Sequence, residues 1–409
     1  MKKIYSIILS IILLLSSCFL FACNPTDPGV NFLCEDDLIA SAPYVKWEGR
    51  YAYEQGENGE ASKVNLYHSA TGFTIDFTGT ELYVEFDSTI ANGSNSRRPY
   101  YNVAVDDEVL PTVREDRTFY LSGGRQRICI VSGLENKRHT VKCLKMSEPY
   151  DALTSVVSLE TDGKFIKRNV DDDLANFRFM FVCASGGSGH GALGYSDDGK
   201  GSMSRTTANS SALHSFNYLT ARMFGADVQY VGNSGWGVSY PAHQSVLDVI
   251  DYTGITTSNN VNGAKQTPLW DYAKWTPDVI IFNIGGNDTT QNGFNQSTYQ
   301  AEVVQLVEKL HTQYPNAYMI WTHTNSNAGK YAMSALNDAG VTQGGYLREV
   351  VIPKVNNENG TVGANGHNSL LTHITSAQIL ADALNQHWGF TPIYENVTLE
   401  QYDSVLKKF

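Results

Sequence analysis

The sequence predicts an all-β sandwich followed by an α/β domain built on a parallel sheet. Three observations carry this. From about Tyr44 to Met146 the apolar residues alternate with period two. From about Phe177 onward, continuous apolar runs ending in glycines alternate with helical patterns. The chain has 409 residues, and nearly all of them lie beyond a short N-terminal apolar segment, which suits two ordinary domains rather than one.

In the front half, Phe73, Ile75 and Phe77 alternate, as do Leu82, Val84 and Phe86. Val103 with Val105, Ile128 with Ile130, and Val141 with Cys143 continue the pattern. Thr78-Gly79 and Asn92-Gly93 break the runs, as turns between short strands do. In the rear half, Phe179 to Cys183 predicts a first strand, followed by a helical stretch from about Ser204 to Phe224. Asp227–Val231, Asp278–Ile284 and Tyr318–Trp321 predict three more strands. Val303, Leu306, Val307 and Leu310 share one helix face, and Ala377, Leu380, Ala381 and Leu384 another. The tail from Pro392 to Phe409 reads as a strap and a short helix.

Lys2 and Lys3, the apolar run Ile4–Leu15 and the small residue before Cys23 read as a secretory signal. Leu20-Phe21-Ala22-Cys23 resembles the lipobox of bacterial lipoproteins, which implies cleavage before Cys23 and acylation of its thiol. The predicted organisation is a signal at 1–22, a tether at 23–43, a sandwich at 44–150, a connection at 151–176 and the α/β domain at 177–409. Export with a lipid anchor as the only membrane contact is the expected location. The formal charge of −12 falls to −14 without Lys2 and Lys3, and no basic cluster stands out, so nucleic acid is not an expected partner. Of six Cys, Cys18 leaves with the signal. Cys34, Cys129, Cys143 and Cys183 allow three full pairings or four buried thiols. Cys129 and Cys143 flank an apparent hairpin across which a disulfide fits. No Cys/His spacing suggests zinc, and neither metal nor cofactor is expected.

Parallel sheets bind ligands at the carboxyl ends of their strands, so the turns there are the places for chemistry. After the first strand comes Gly186-Gly187-Ser188-Gly189-His190-Gly191. Gly232-Asn233-Ser234-Gly235-Trp236-Gly237 follows the second, and Gly285-Gly286-Asn287-Asp288 the third. Asn365-Gly366-His367-Asn368 precedes the last helix. A phosphate-cradling reading wants a Lys or Arg in the first loop, and none lies between Gly186 and Gly194.

The order Ser, Gly turn, Gly-x-Asn-Asp, late His resembles the SGNH/GDSL hydrolase superfamily, with its three-layer, flavodoxin-like domain. That resemblance implies Ser188 as nucleophile and His367 as general base. It implies an oxyanion hole from the Ser188 and Gly235 N–H groups and the Asn287 side chain. In the front half, Trp47-Glu48-Gly49-Arg50-Tyr51, Thr71-Gly72-Phe73, Phe77-Thr78-Gly79-Thr80, Val105-Asp106-Asp107 and His139-Thr140-Val141 occur in order. With the rear half, from about Tyr44 to Leu384, they resemble carbohydrate esterase family two. This implies a jelly-roll domain before the hydrolase domain, and removal of acetyl groups from acetylated polysaccharide or oligosaccharide.

Two elements depart from the pattern. Gly186-Gly187-Ser188 lacks the usual Asp, and no carboxylate sits two or three residues before His367, where Asn365 and Ala364 stand. Catalysis then needs a Ser–His pair with the imidazole oriented by the Asn365 amide oxygen or a backbone carbonyl. The alternatives are a site that only binds carbohydrate, and an esterase on small or lipid esters. His190 is a pocket residue and the rival base, and Trp236 is the candidate for stacking on a sugar. His323 and His373 are expected to pack, and so are Tyr100 and Tyr101.

Overall fold

In the computed structural model, residues 32–33, 43–55, 61–168, 177–194, 202–239, 244–256, 261–355 and 360–406 are described below. The signal, Cys23 and Cys34 lie outside them.

The front domain is a sandwich of two antiparallel sheets. One orders Tyr51–Gln55, Ala61–Leu66, Ala152–Thr161, Leu82–Ile90 and Gly124–Val131, with Phe32–Leu33 also paired to Ala152–Thr161. The other orders Lys164–Ile166, Gly72–Gly79, Lys137–Lys145, Tyr100–Val105 and Thr118–Tyr120, with Val45–Glu48 on Gly72–Gly79. The period-two residues fill the space between the sheets: Phe73, Ile75, Phe77, Val84, Phe86, Val103 and Val141 are all buried. The His139-Thr140-Val141 and Val105-Asp106-Asp107 pieces meet on neighbouring strands of the second sheet. Asp106 accepts from the Thr140 N–H at 2.9 Å, and its other oxygen lies 2.8 Å from His139 Nδ1.

Residues 151–168 are not a connection, as the sequence reading had them. Ala152–Thr161 is an inner strand of the first sheet and Lys164–Ile166 an edge strand of the second. Nor do Cys129 and Cys143 flank a hairpin. Their strands belong to opposite sheets, and both thiols are free, as is that of Cys183. Local alternation cannot show which sheet a strand joins.

The rear domain holds five parallel strands, here β1 (Arg178–Cys183), β2 (Asp227–Gly232), β3 (Val279–Asn283), β4 (Tyr318–His323) and β5 (Leu347–Val351), in the order β2-β1-β3-β4-β5. Apolar layers cover both faces. One contains Phe179, Phe181, Leu380 and Leu384; the other contains Met180, Val182, Val303 and Leu306. The longer helices are α1 (Phe216–Met223), α2 (Gln296–Gln313), α3 (Asn327–Asp338) and α4 (Leu370–Trp388). Helix α1 is far shorter than the 204–224 stretch expected. Before it, Asn209 Oδ1 accepts from the Thr206 N–H and Ser210 Oγ donates to the Thr206 carbonyl, so short polar side chains compete for backbone groups a helix would use. Strand β5, absent from the sequence reading, is an edge strand with weaker apolar patterning. The tail packs as a strap, with Tyr402 buried and its hydroxyl donating to the Pro111 carbonyl at 3.0 Å.

The two domains are locked together by buried polar contacts. Arg50 donates to Gln229 Oε1 at 3.0 Å and to the carbonyls of Ile250 and Tyr252 at 2.7 and 2.8 Å. Lys46 pairs with Asp227 at 2.6 Å. Removing one partner of such a buried group leaves the other unsatisfied, at a cost of about 1–3 kcal/mol.

Candidate active site

Cys183 at the end of β1 is in register with Gly232 on β2 and Asn283 on β3. The turns after these three adjacent strands therefore open at one level of the sheet. In the first turn the Ser188 N–H closes on the Ala184 carbonyl at 3.1 Å, and the His190 N–H on that of Ser185 at 3.2 Å. Ser185 stands at the tip, half-buried.

The late histidine reaches this tip. His367 Nε2 lies 2.9 Å from Ser185 Oγ, and His367 Nδ1 lies 2.9 Å from the Asn365 carbonyl oxygen. A carbonyl only accepts, so Nδ1 carries the ring proton and Nε2 presents its lone pair to the Ser185 hydroxyl. Burial and the neighbouring His190 push the His367 imidazole down to about 4, against the weaker pull of the Asn365 carbonyl. It is neutral near pH 7 and free to take a proton.

This corrects the serine assignment. Ser188 is buried, and its hydroxyl faces Cys183 Sγ at 3.6 Å rather than His367. The flanking glycines pointed to Ser188, but the 184–188 turn rolls its side chain inward. The usable signal was distance from the strand end: Ser185 is the second residue past β1.

Glycines bring the two loops into backbone contact. The Ala364 N–H donates to the Gly191 carbonyl at 3.0 Å. Gly191 has φ +68, and a Cβ on it would fall 2.4 Å from the Ala364 carbonyl oxygen. A Cβ on Gly363 would meet the Gly191 carbonyl oxygen at 2.4 Å. Side chains at either position would wedge the histidine loop off the serine loop.

In the turns after the two neighbouring strands, Asn287 Nδ2 donates to the Trp236 carbonyl at 2.8 Å, which fixes the amide against the Gly235 turn. Its second N–H has no acceptor among the described residues, nor has the Gly235 N–H. Gly235 takes φ +82, a conformation that favours glycine. Asp288 anchors the same region by accepting from the Val238 and Ser239 N–H groups at 3.1 and 2.6 Å.

Trp236 does not offer a face for a sugar. Its side chain is fully buried, edge-on to His68 of the front domain at 6.4 Å. Asn365 orients His367 through its backbone carbonyl and not its amide oxygen; its side-chain nitrogen lies 3.5 Å from His190 Nε2. His190 is buried beside His367, with ring centroids 4.3 Å apart, and does not take the place of the base. His373 Nδ1 accepts the Phe216 N–H at the start of α1, and His323 pairs with Glu349 at 2.7 Å. Tyr101 is buried in the sandwich, with its hydroxyl on Thr154 at 2.7 Å, and Tyr100 packs on Tyr120. Sequence reasoning did not single out Ser185, which meets His367, or Ser234 and Glu148, which meet each other; both contacts form only through the tertiary fold. Among the described residues no cluster of His, Cys, Asp or Glu is set to hold a metal ion, and no helix is long and apolar enough to cross a membrane.

Residues 49–167 match the carbohydrate esterase 2 N-terminal family, and residues 186–363 match the GDSL-like lipase/acylhydrolase family. The chain is 22% identical over 362 residues to the cellulase/esterase CelE of Acetivibrio thermocellus, covering 85% of this chain and 40% of that one. It is 24% identical over 315 residues to an acetylxylan esterase / glucomannan deacetylase of Cellvibrio japonicus, covering 76% of this chain and 79% of that one. It thus spans about 40% of the length of the first of these relatives. A family two carbohydrate esterase from Clostridium thermocellum, solved with cellohexaose, superposes with a TM-score of 0.69 at 20% identity, over 84% of this chain and 99% of that one. An acetyl xylan esterase from Butyrivibrio proteoclasticus gives 0.69 at 18%, over 88% and 100%.

Fold and matches together define the class: a β-sandwich in front of a parallel-sheet domain that matches the GDSL-like lipase/acylhydrolase family. Across both domains the chain is similar to carbohydrate esterase family 2 proteins.

Proposed function

We propose that this protein removes acetyl groups from polysaccharide by serine–histidine catalysis, with Ser185 as nucleophile and His367 as base. The observation that carries the reading is the Ser185 Oγ to His367 Nε2 contact of 2.9 Å, with Nδ1 held by the Asn365 carbonyl. In the first half-reaction, His367 Nε2 takes the Ser185 proton as Oγ bonds to the acetyl carbon. The tetrahedral oxyanion is held by N–H donors from Ser185, Gly235 and Asn287. Collapse breaks the bond to the sugar oxygen, which leaves with the proton from His367. Water then adds to the acetyl–Ser185 ester, gives its proton to His367, and acetate departs as Ser185 regains its hydrogen.

Relatives named for acetylxylan and glucomannan favour an acetylated polysaccharide as substrate. The glycine-rich turns offer little apolar surface to a long acyl chain, which favours acetyl over octanoyl esters. The basic start, apolar run and Cys23 favour export and lipid anchoring, the anchor being the membrane contact.

The test is hydrolysis of an aryl acetate and of acetylated xylan or glucomannan by the intact chain, Ser185→Ala and Ser188→Ala. Ser185→Ala is expected to lose at least about 10³-fold in kcat, and Ser188→Ala to stay within about threefold, since its hydroxyl makes only a weak contact. Activity that survives Ser185→Ala overturns the assignment. An intact chain that binds the polymer without cleaving either ester makes it a binding protein.

A further inference from the structure

Glu148 follows the sandwich strand Lys137–Lys145, yet its carboxylate lies beneath the strand-end turns of the rear domain. It is 1% exposed. One oxygen accepts the Ser234 N–H at 2.6 Å, and the other accepts the Ser234 hydroxyl at 2.8 Å. The second oxygen also lies 3.3 Å from His190 Nδ1 and 3.4 Å from Arg205 Nη2. Arg205 itself pairs with Asp151, so the front domain supplies both acids of this network.

The proton arrangement follows from the geometry. Ser234 has one hydroxyl hydrogen, and it goes to Glu148. His190 Nδ1, 2.8 Å from Ser234 Oγ, must then donate to it. This fixes the His190 tautomer and leaves Nε2 as an acceptor toward Asn365 Nδ2 at 3.5 Å. Ser234 is also the residue before Gly235, so a carboxylate gripping the Ser234 N–H sets the direction of the next peptide unit.

We propose that Glu148 is a positioning residue for ester cleavage: by clamping Ser234 at backbone and hydroxyl it aims the Gly235 N–H and locks His190 against His367, so that the site is complete only with the front domain in place. The inference rests on the Ser185–His367 reading. Burial disfavours the charged carboxylate, but the hydrogen bond from His190, the Arg205 guanidinium and the Ser234 hydroxyl outweigh it and hold Glu148 below the ordinary range. The negative charge in turn favours the imidazolium of His367, against His190 and Arg205. His373 is the other titratable group felt near His367.

The experiment compares Glu148→Gln with the intact chain on a small aryl acetate, across pH. The substitution keeps size, but whichever way the amide turns, its NH2 faces a donor. With Glu148 positioning the site, kcat falls about 10- to 100-fold, a fraction of what losing an oxyanion donor outright costs, while KM changes less than threefold. The acid limb of kcat/KM also moves to lower pH, which a merely structural residue would not do. Ser234→Ala, which keeps the backbone contact and removes the hydroxyl bridge, is expected to lose about three- to tenfold in kcat, and it decides the matter if Glu148→Gln does not fold. An inert intact chain overturns this inference together with the Ser185 reading. An active intact chain, with folded Glu148→Gln or Ser234→Ala matching it in kcat and in acid limb, overturns this inference alone.

Discussion

His190 and His367 stand with ring centroids 4.3 Å apart and planes tilted by 42°, yet of the two rings it is that of His367 that meets the Ser185 hydroxyl. The two rings do different work because different elements hold them. His367 hangs from the turn before α4 and points its Nε2 at the serine, while His190 turns its Nδ1 back to Ser234. Their closeness also has an electrostatic consequence, since His190 disfavours a positive charge on His367.

The pH dependence of hydrolysis follows from this. On the proposed mechanism His367 is the base and acts only when neutral, and burial beside His190 places its titration at about 4. Activity is therefore expected to hold as pH falls from 7 through 6, where an ordinary histidine would already be lost, and to fall away as pH passes through about 4. The check is kcat/KM for an aryl acetate between pH 3.5 and 7.5. A limb near 6.5 would mean that the imidazole is not buried as described.

Asn287 is expected to matter for turnover more than for binding. On the proposed mechanism Asn287→Ala removes an oxyanion donor, so kcat should drop roughly 10²- to 10³-fold with little change in KM. The same change frees the Trp236 carbonyl, so the thermal midpoint should be measured alongside.

Asn365 offers a sharp contrast. Its backbone carbonyl holds His367, its side chain is exposed, and its φ is +54. Asn365→Gly keeps the carbonyl and suits that backbone conformation, so kcat should stay within about threefold. Loss on the scale of Asn287→Ala would mean that the amide, not the carbonyl, orients the base.

Stability should weaken in mild acid. Burial pushes His68, His214 and His373 down to about 3, and His367 to about 4. Each is neutral when folded, while the unfolded chain takes up its proton at the ordinary value near 6.5. Stability is thus full above about 6.5 and falls as pH drops toward 4, by on the order of 1.4 kcal/mol per histidine per pH unit. Thermal midpoints at pH 7, 6 and 5, with net proton uptake on unfolding at pH 5, would check this. A midpoint flat across that range would contradict it.

What the sequence alone determined was local. Period-two alternation marked Phe73, Ile75 and Phe77 as one face of a strand, and apolar runs ending in glycine marked β1, β2 and β3. The order of the turns after them, with Asn287 and His367 in it, was legible because side-chain periodicity and turn chemistry are written in near neighbours. The tertiary structure decided the rest. Ser185 rather than Ser188 meets His367 because a single turn past β1 rolls one hydroxyl out and the other in. Trp236 is buried because it packs into the rear-domain core, with His68 of the front domain against its edge. Ala152–Thr161 is an inner strand and Glu148 reaches the rear domain because strands and loops far apart in the chain pair and pack. Burial and register are properties of partners brought from a distance, and no window of sequence contains them.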